Sequence, residues 1–410
     1  MTIEGKLGRI KLGDFYPVRT MAVINLSQES FYRGSFVCGD EVLERARALV
    51  KEGAEILDLG AVSTAPGSPP ISEEEERNRL IPALKAVLDN LNVEVSIDTQ
   101  RARIAEDALS CGATCINDVS GLSDPKMRDV VKDHDSSLII MASRDLPGDI
   151  LSLEETVAIL GSRLKMAEDF GISSEKITVD PGVGHWIPPK GPNHDLALLD
   201  GMKRLRVLNR PVMAAVSRKS FIGSVLDKSD PAKRLEGSLA ATAIAVYNGA
   251  HLVRTHDVAA SKDVIRMAEA IRGGPALACE GEFEVEVLEV TGHVRDLDWE
   301  LDRIGVGEGG SVALRQKGAF RMLSVKGVTS MEAVIIKQEM LARGGDAAIP
   351  MGALRCDPGL AKLLVMGTVA QIRGLMKNLE GQPFNLPILA KAIGEAIDGI
   401  ADPKRYRRYR

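Results

Sequence analysis

Short aliphatic runs recur along the chain, each followed by a polar loop and then by a stretch with apolar residues three and four apart. The runs are Met21–Asn25, Glu55–Gly60, Val93–Asp98, Cys115–Val119, Ser137–Met141, Ile177–Asp180, Val212–Val216 and His251–His256. Helical spacing is clearest over Glu41–Glu52, Glu73–Leu91, Leu153–Phe170 and Pro231–Asn248. The runs do not alternate strictly between apolar and polar residues, so they suit parallel strands buried on both faces. Strand and helix alternating eight times over about 250 residues predicts a (β/α)8 TIM barrel. An open doubly wound sheet is the competing architecture, and eight units in this length favour closure.

The pattern changes after Gly273-Gly274-Pro275, which cannot continue a helix. This sets the barrel at residues 1–275 and a second, smaller domain at 280–410. Glu284–Val290 alternates strictly, as a half-exposed strand does. Leu297–Ile304, Ser330–Arg343, Ala370–Leu379 and Leu386–Ile397 read as helices, and Leu363–Gly367 as a buried strand. The expected fold of this part is α/β or α+β. It carries no metal-ligand spacing, no phosphate loop and no nucleophile with an obvious base, which leaves a structural or dimer-forming role.

Composition adds limits rather than functions. Of 410 residues, 45% are hydrophobic, 27% charged and only 4% aromatic, so the core must be mostly aliphatic. The formal charge of −5 gives no general attraction to nucleic acid. The basic tail Lys404–Arg410 reads as a solvated terminus. No run resembles a secretory signal or a membrane span. Five scattered cysteines argue against a disulfide framework and for a reducing cytoplasm. Cys111 and Cys115 read as small apolar residues rather than metal ligands.

In a TIM barrel the active site forms at the C-terminal ends of the strands. Those ends carry Asn25, Gly60 ahead of Ser63-Thr64, Asp98, Asn117-Asp118, Met141, Asp180, Ser217-Arg218-Lys219 and Arg254-Thr255-His256-Asp257. Any one Asp or Asn there, taken alone, is best explained as a helix cap. Their coincidence in one ring of strand ends points to a ligand site. For Lys219, Arg254, His256 and Arg218 the structural alternative is ion pairing with Asp227 or Asp257.

The strings Met21–Phe31, Gly53–Gly60 with Ser63–Gly67, Ser96–Thr99, Ile116–Gly121, Asp180–Gly182, Ser217–Gly223 and Arg254–Val258 follow one another in the order of a known set of motifs. Over residues 15–272 the chain resembles the dihydropteroate synthase family, with wording like that of its archaeal or deep-branching members. The resemblance implies the condensation of 6-hydroxymethyl-7,8-dihydropterin pyrophosphate with p-aminobenzoate, or a related arylamine, releasing pyrophosphate. It implies that Asp98, Asn117 and Asp180 hold the pterin. Lys219 would lie between pterin and acceptor, with Thr64 and Ser220 as further substrate-binding residues. Arg254 and His256 would stabilise the departing phosphates, and Asn25 would touch a magnesium ion held mainly by those phosphates. With Lys219, the last two form the catalytic group. A homodimer is implied as well, together with lid loops after the first two strands that exclude water.

The sequence departs from the usual family pattern in the loops. It has Ser27-Gln28-Glu29-Ser30 for a Thr-Pro-Asp-Ser run, Ala61-Val62 for Gly-Glu, and Ala65 for Arg. It also has Ala142-Ser143 after Met141 where His is usual, and Gly184-His185-Trp186 before Lys190 where Gly-Phe-Gly-Lys is usual. These loops would contact the acceptor, so an arylamine other than p-aminobenzoate is a fair expectation. Two rivals share the pterin floor. One is a corrinoid-linked, pterin-dependent methyltransferase, which expels no pyrophosphate and has no need of the Ser-Arg-Lys-Ser and Arg-x-His elements. The other is a non-catalytic pterin binder.

Overall fold

The computed structural model describes residues 2–27, 41–62, 71–184, 186–274, 277–291, 301 and 304–399. Thr64, most of the two expected lid loops and the basic tail lie outside the described residues. The chain forms two compact units, Ile3–Arg272 and Gly273–Arg410, the latter including the first two residues.

The first unit is the barrel. Its strands are β3 (Arg19–Asn25), β4 (Ile56–Gly60), β5 (Glu94–Asp98), β6 (Cys115–Asp118), β7 (Ser137–Met141), β8 (Ile177–Asp180), β9 (Met213–Ala214) and β10 (Leu252–Thr255). All pair in parallel, in the order β8-β7-β6-β5-β4-β3-β10-β9. A bridge between Val179 and Val212, with Val179 N–H donating to Pro211 C=O at 2.9 Å, joins the two ends and closes the ring. Helices α1 (Glu41–Glu52), α2 (Glu73–Leu88), α3 (Ala102–Ser110), α4 (Met127–Asp133), α5 (Leu153–Phe170), α6 (Pro192–Asp200), α7 (Ser220–Leu226), α8 (Leu235–Tyr247) and α9 (Val258–Arg272) occupy the connections. The helix expected over Pro231–Asn248 is divided. Asp230 caps Ala232 N–H at 2.9 Å and starts a separate 3-10 turn, and α8 begins at Leu235.

The strand residues divide with a period of two. Ala22, Ile24, Leu57, Leu59, Val95, Ile97, Ile116, Leu138, Ile140, Ile177, Val179 and Ala214 belong to one apolar cluster with the helices. Met21, Ile56, Cys115, Ile139, Met213 and Leu252 form a second cluster with Leu7, Ile10 and Leu12. The second cluster is the lower barrel interior. Cys115 is buried in it, and burial holds its thiol far above the usual range, as suits an inert apolar residue.

Leu7 and Leu12 come from a hairpin, β1 (Glu4–Leu7) with β2 (Ile10–Gly13), which periodicity does not reveal because each strand has only four residues. The hairpin plugs the N-terminal end of the barrel. Gly8 N–H donates to Ser137 Oγ at 3.0 Å, and Arg9 Nε to Glu94 Oε1 at 2.5 Å. Asp14 accepts from Ile3 N–H at 2.7 Å and from Arg206 at 2.7 and 2.9 Å, and meets His251 Nε2 at 3.3 Å. His251 Nδ1 accepts from Val212 N–H at 3.1 Å, so Nε2 carries the proton. Burial keeps this imidazole neutral, and the Asp14 carboxyl lies well below its usual range because of His251 and Arg206, despite its own burial.

The second unit is an antiparallel sheet of β11 (Leu277–Glu280), β12 (Phe283–Thr291), β13 (Phe320–Val328), β14 (Asp346–Ala348) and β15 (Ala361–Thr368), ordered β11-β12-β13-β15-β14. Helices over Ser330–Leu341, Val369–Leu379 and Leu386–Gly399 contribute Ala333, Ile336, Leu375 and Ile393 to a core with Phe283, Leu323 and Val365. Antiparallel pairing makes it α+β. Thr329 with Glu332, and Thr368 with Gln371, form capping boxes that start two of these helices. β15 alternates in burial, so it is covered on one face rather than both. The helix expected at Leu297–Ile304 falls mostly outside the described residues.

Leu12 is fully buried beneath the barrel floor. Leu12→Ala is expected to destabilise the barrel by about 2–5 kcal/mol through the cavity it leaves. Urea unfolding followed by circular dichroism checks this. A change below about 1 kcal/mol would show that the hairpin is not part of the barrel's cooperative unit.

Candidate active site

At the C-terminal end of the barrel the inward positions turn polar. Above Ile56 on β4 comes Asp58, above Cys115 on β6 comes Asn117, and above Leu252 on β10 comes Arg254. Asp98 ends β5, Asp180 ends β8, and Asn25 ends β3. Register places Asn25 beside Gly60, Gly60 beside Asp98, and Asp98 beside Asn117. Gly60 leaves room there, since a Cβ on it would lie 3.3 Å from the Asp98 Cβ.

Arg254 organises this ring. Its Nε donates to Asp58 Oδ2 at 2.6 Å and its Nη2 to Asp98 Oδ2 at 2.8 Å. The side chain thus crosses β3 to reach β4 and β5. Burial disfavours the guanidinium charge, but Asp58 and Asp98 outweigh it and raise its pKa further. Asn117 Nδ2 donates to the same Asp58 oxygen at 3.2 Å. The other oxygen of Asp58 and Oδ1 of Asn117 are buried with no hydrogen-bond partner. Two orphaned acceptors, on β4 and β6 with Asp98 of β5 between them, mark a place where a donor-bearing ligand belongs.

Burial raises the Asp98 carboxyl to about 7, against the opposing pull of Arg254. Asp180 is raised as well, chiefly by burial and against Lys219, while its Oδ1 accepts from Gly182 N–H at 2.8 Å. Neither Asp98 nor Asn117 caps a helix; the residue before α3 is Arg101, which makes no side-chain cap. Asp118, by contrast, is structural, accepting from Ser120 and Leu122 N–H at 2.8 Å each.

Three positive or proton-bearing groups line the remaining arc. Lys219 directs Nζ to the Val183 carbonyl and stands 5.0 Å from the Trp186 ring centre. Burial lowers its ammonium to about 8, partly offset by Asp180. His256 Nδ1 lies 3.0 Å from Ser217 Oγ. Its pKa falls to about 3 through burial and the charges of Arg254, Arg218, Lys219 and Arg45, so it is a neutral ring. Arg218 has the structural role anticipated as its alternative. It forks onto Asp257 at 2.8 and 2.6 Å and also donates to the Pro231 and Ala232 carbonyls. Ser220, just past Lys219, opens α7.

Three participants were not singled out from sequence. In the sequence Asp58 is only part of a strand, although its position two residues from both Ile56 and Gly60 marks it as inward-facing. Lys190 is buried and donates to the Gly182 carbonyl at 2.6 Å, with burial lowering its pKa. Trp186 donates from Nε1 to the same carbonyl at 3.0 Å. Together these two fold the loop after Asp180 back on itself, with the indole against Lys219. Gly148, with φ +61°, permits it, since a Cβ there would come within 2.2 Å of the indole.

Asn25 offers one neutral carboxamide oxygen, and no group of three His, Cys, Asp or Glu able to hold a metal lies among the described residues. Such a donor set suits a hard ion whose other ligands are phosphate and water.

The model of the pterin binding enzyme family matches residues 21–256. A dihydropteroate synthase of Synechocystis sp. is 34% identical over 260 residues, covering 61% of this chain and 89% of that protein. Among solved structures, Xanthomonas albilineans dihydropteroate synthase with 4-aminobenzoic acid superposes with a TM-score of 0.59 at 31% identity, over 66% of this chain and 99% of that one. The Thermus thermophilus dihydropteroate synthase in complex with 6HMPPP gives 0.56 at 36% identity, over 66% and 100%. The seven motifs fall almost wholly within this shared region, and Asn25, Asp58, Asp98, Asn117, Asp180, Lys219, Arg254 and His256 from them lie at the C-terminal ends of the barrel strands. The chain therefore belongs to the pterin binding enzymes, in the dihydropteroate synthase family.

Proposed function

We propose that this protein is a transferase that joins 6-hydroxymethyl-7,8-dihydropterin pyrophosphate to p-aminobenzoate or a closely related arylamine. The observation that carries this reading is the pair of orphaned acceptors on Asp58 and Asn117, flanked by the carboxyls of Asp98 and Asp180. A pterin presents a guanidine-like edge of N–H donors, and this wall is built of acceptors. The relatives are named as synthases rather than as corrinoid-linked methyltransferases or inactive binders.

In the proposed reaction the arylamine nitrogen attacks the methylene carbon attached to the pterin. The C–N bond forms as the C–O bond to pyrophosphate breaks, and the amine proton passes to solvent or to the leaving phosphate. A neutral arylamine needs no strong base, so catalysis consists of positioning and charge stabilisation. Asp98, Asn117 and Asp180 orient the ring, with Thr64 and Ser220 as further substrate contacts. Lys219, drawn toward Val183 and Trp186, would stand between the pterin and the acceptor. Arg254 has two of its three nitrogens committed to carboxylates, which leaves Nη1 for a phosphate oxygen. Neutral His256 would donate one hydrogen bond. Asn25 would contact a magnesium ion, which when bound neutralises charge on the pyrophosphate.

Unpaired cysteines, Cys115 among them, support a reducing cytoplasm; no described helix is long and apolar enough to cross a membrane. A homodimer is supported by Ile244 and Tyr247 on α8 and Met267 and Ile271 on α9, all well exposed on the last barrel helices.

The direct test combines the purified chain, magnesium, the pterin pyrophosphate and p-aminobenzoate. Dihydropteroate and pyrophosphate released in equal amounts are the expected products. Tight pterin pyrophosphate binding without product, across a panel of arylamines, would overturn the synthase reading.

The ionised Asp98 carboxylate is the form that accepts from the pterin. With its pKa raised to about 7, pterin affinity should be full above that value and fall as pH drops through it. In kcat/KM the acidic limb should break near 7. Asp98→Asn should abolish that limb as well as most of the affinity, and a limb unchanged in the variant would assign it elsewhere.

Ile244→Asp should shift sedimentation of the full chain from dimer to monomer. An unchanged sedimentation coefficient would remove α8 from the interface.

A further inference from the structure

A pyrophosphate leaving group carries several negative charges, yet the cations at this end of the barrel are largely committed. Arg254 is shared between two carboxylates at 2.6 and 2.8 Å. Arg218 is locked onto Asp257. Lys219 points to the Val183 carbonyl, and the imidazole of His256 is neutral. Among the described residues the ring is well supplied with acceptors for a pterin and poorly supplied with charge for phosphates.

Arg45 has charge and donors to offer. It sits in the second turn of α1, the helix that packs against β3 and α9. Its Nη2 donates to the main-chain carbonyl of His256 at a long 3.4 Å. Among the described residues its paired carboxylate is Glu52, 3.9 Å from Nη1. Its Nε is buried with no hydrogen-bond partner. A buried, unsatisfied N–H on a permanently charged group is costly in a ligand-free protein and is accounted for if an anion supplies the acceptor. The same guanidinium is near enough to act on the His256 ring electrostatically. Nothing in the carried-over motifs points to this helix, and position 65, where the usual pattern has Arg, is Ala.

We propose that Arg45 is a further ligand of the leaving pyrophosphate, gripping its phosphate oxygens from beside His256. This rests on the synthase reading and adds a residue to it. Arg45 forms a second cationic wall, facing the phosphates, while Arg254 chiefly orders the pterin floor.

The test uses the full chain as wild type, Arg45→Gln and Arg45→Lys, titrated calorimetrically in magnesium buffer with two probes. One is inorganic pyrophosphate; the other is 6-hydroxymethylpterin, which has no phosphate. Arg45→Gln should weaken pyrophosphate binding by about tenfold or more, the scale of a charge-assisted hydrogen bond. Arg45→Lys should recover part of it, and hydroxymethylpterin should bind all three alike. Unchanged pyrophosphate affinity in Arg45→Gln overturns the inference, as does an equal loss for both probes, which would make Arg45 merely structural. Turnover by the wild type is read in parallel. Its absence overturns the synthase reading and this inference together, whereas normal turnover with unchanged pyrophosphate binding overturns the inference alone.

Discussion

A strand sends successive side chains to opposite sides, and closing eight parallel strands into a ring turns that rule into a partition of chemistry. Every outward position must meet a helix, so Ile24, Leu59, Ile97 and Ile140 are aliphatic up to the ends of their strands. The inward positions are released from that demand at one end only. Below, the hairpin bearing Leu7 and Leu12 seals the barrel and the interior must be apolar. Above, no such plug is required, and Asp58, Asn117 and Arg254 occupy the next inward step on their strands. The site is thus the upper half of the barrel core, made of polar residues that a ligand completes.

This placement sets the electrostatics. Carboxyl groups withdrawn from water resist ionisation, and Arg254 is what keeps Asp58 and Asp98 in company at the cost of its own availability. Burial also keeps His256 neutral and lowers the Lys219 ammonium, so the groups nearest the chemistry are less charged than their residue types suggest. A floor built this way recognises a neutral heterocycle with donor edges. It needs help with a multiply charged leaving group, which is why a guanidinium on a flanking helix and a cation beside Asn25 fit the same logic.

The loop after Asp180 shows how an altered sequence can preserve a shape. Lys190 and Trp186 both donate to the Gly182 carbonyl, drawing a loop of unusual wording back against Lys219. The indole then forms a wall beside the position assigned to the acceptor, the region in which this chain departs most from the common pattern.

The eight aliphatic runs and the helical spacings between them were sufficient to foresee the barrel, because burial on both faces leaves a sequence imprint that no surface strand shares. The motif residues Asp98, Asn117, Asp180, Lys219, Arg254 and His256 could be named for a related reason: polar or ionisable groups at the ends of aliphatic runs stand out. The hairpin did not stand out, since four-residue strands are too short to establish a period. The antiparallel order of the second unit was also hidden, as strand pairing is not written in any one strand. Asp58 lay in plain view inside a strand, but its importance comes from a guanidinium two strands away. Arg45 carries no motif at all, and only the packing of α1 against β3 and α9 brings it to His256. Local pattern thus determined which elements form and which residues are chemically unusual. Tertiary structure decided which of them meet, because contacts across a closed ring join residues that lie up to about two hundred positions apart in the chain.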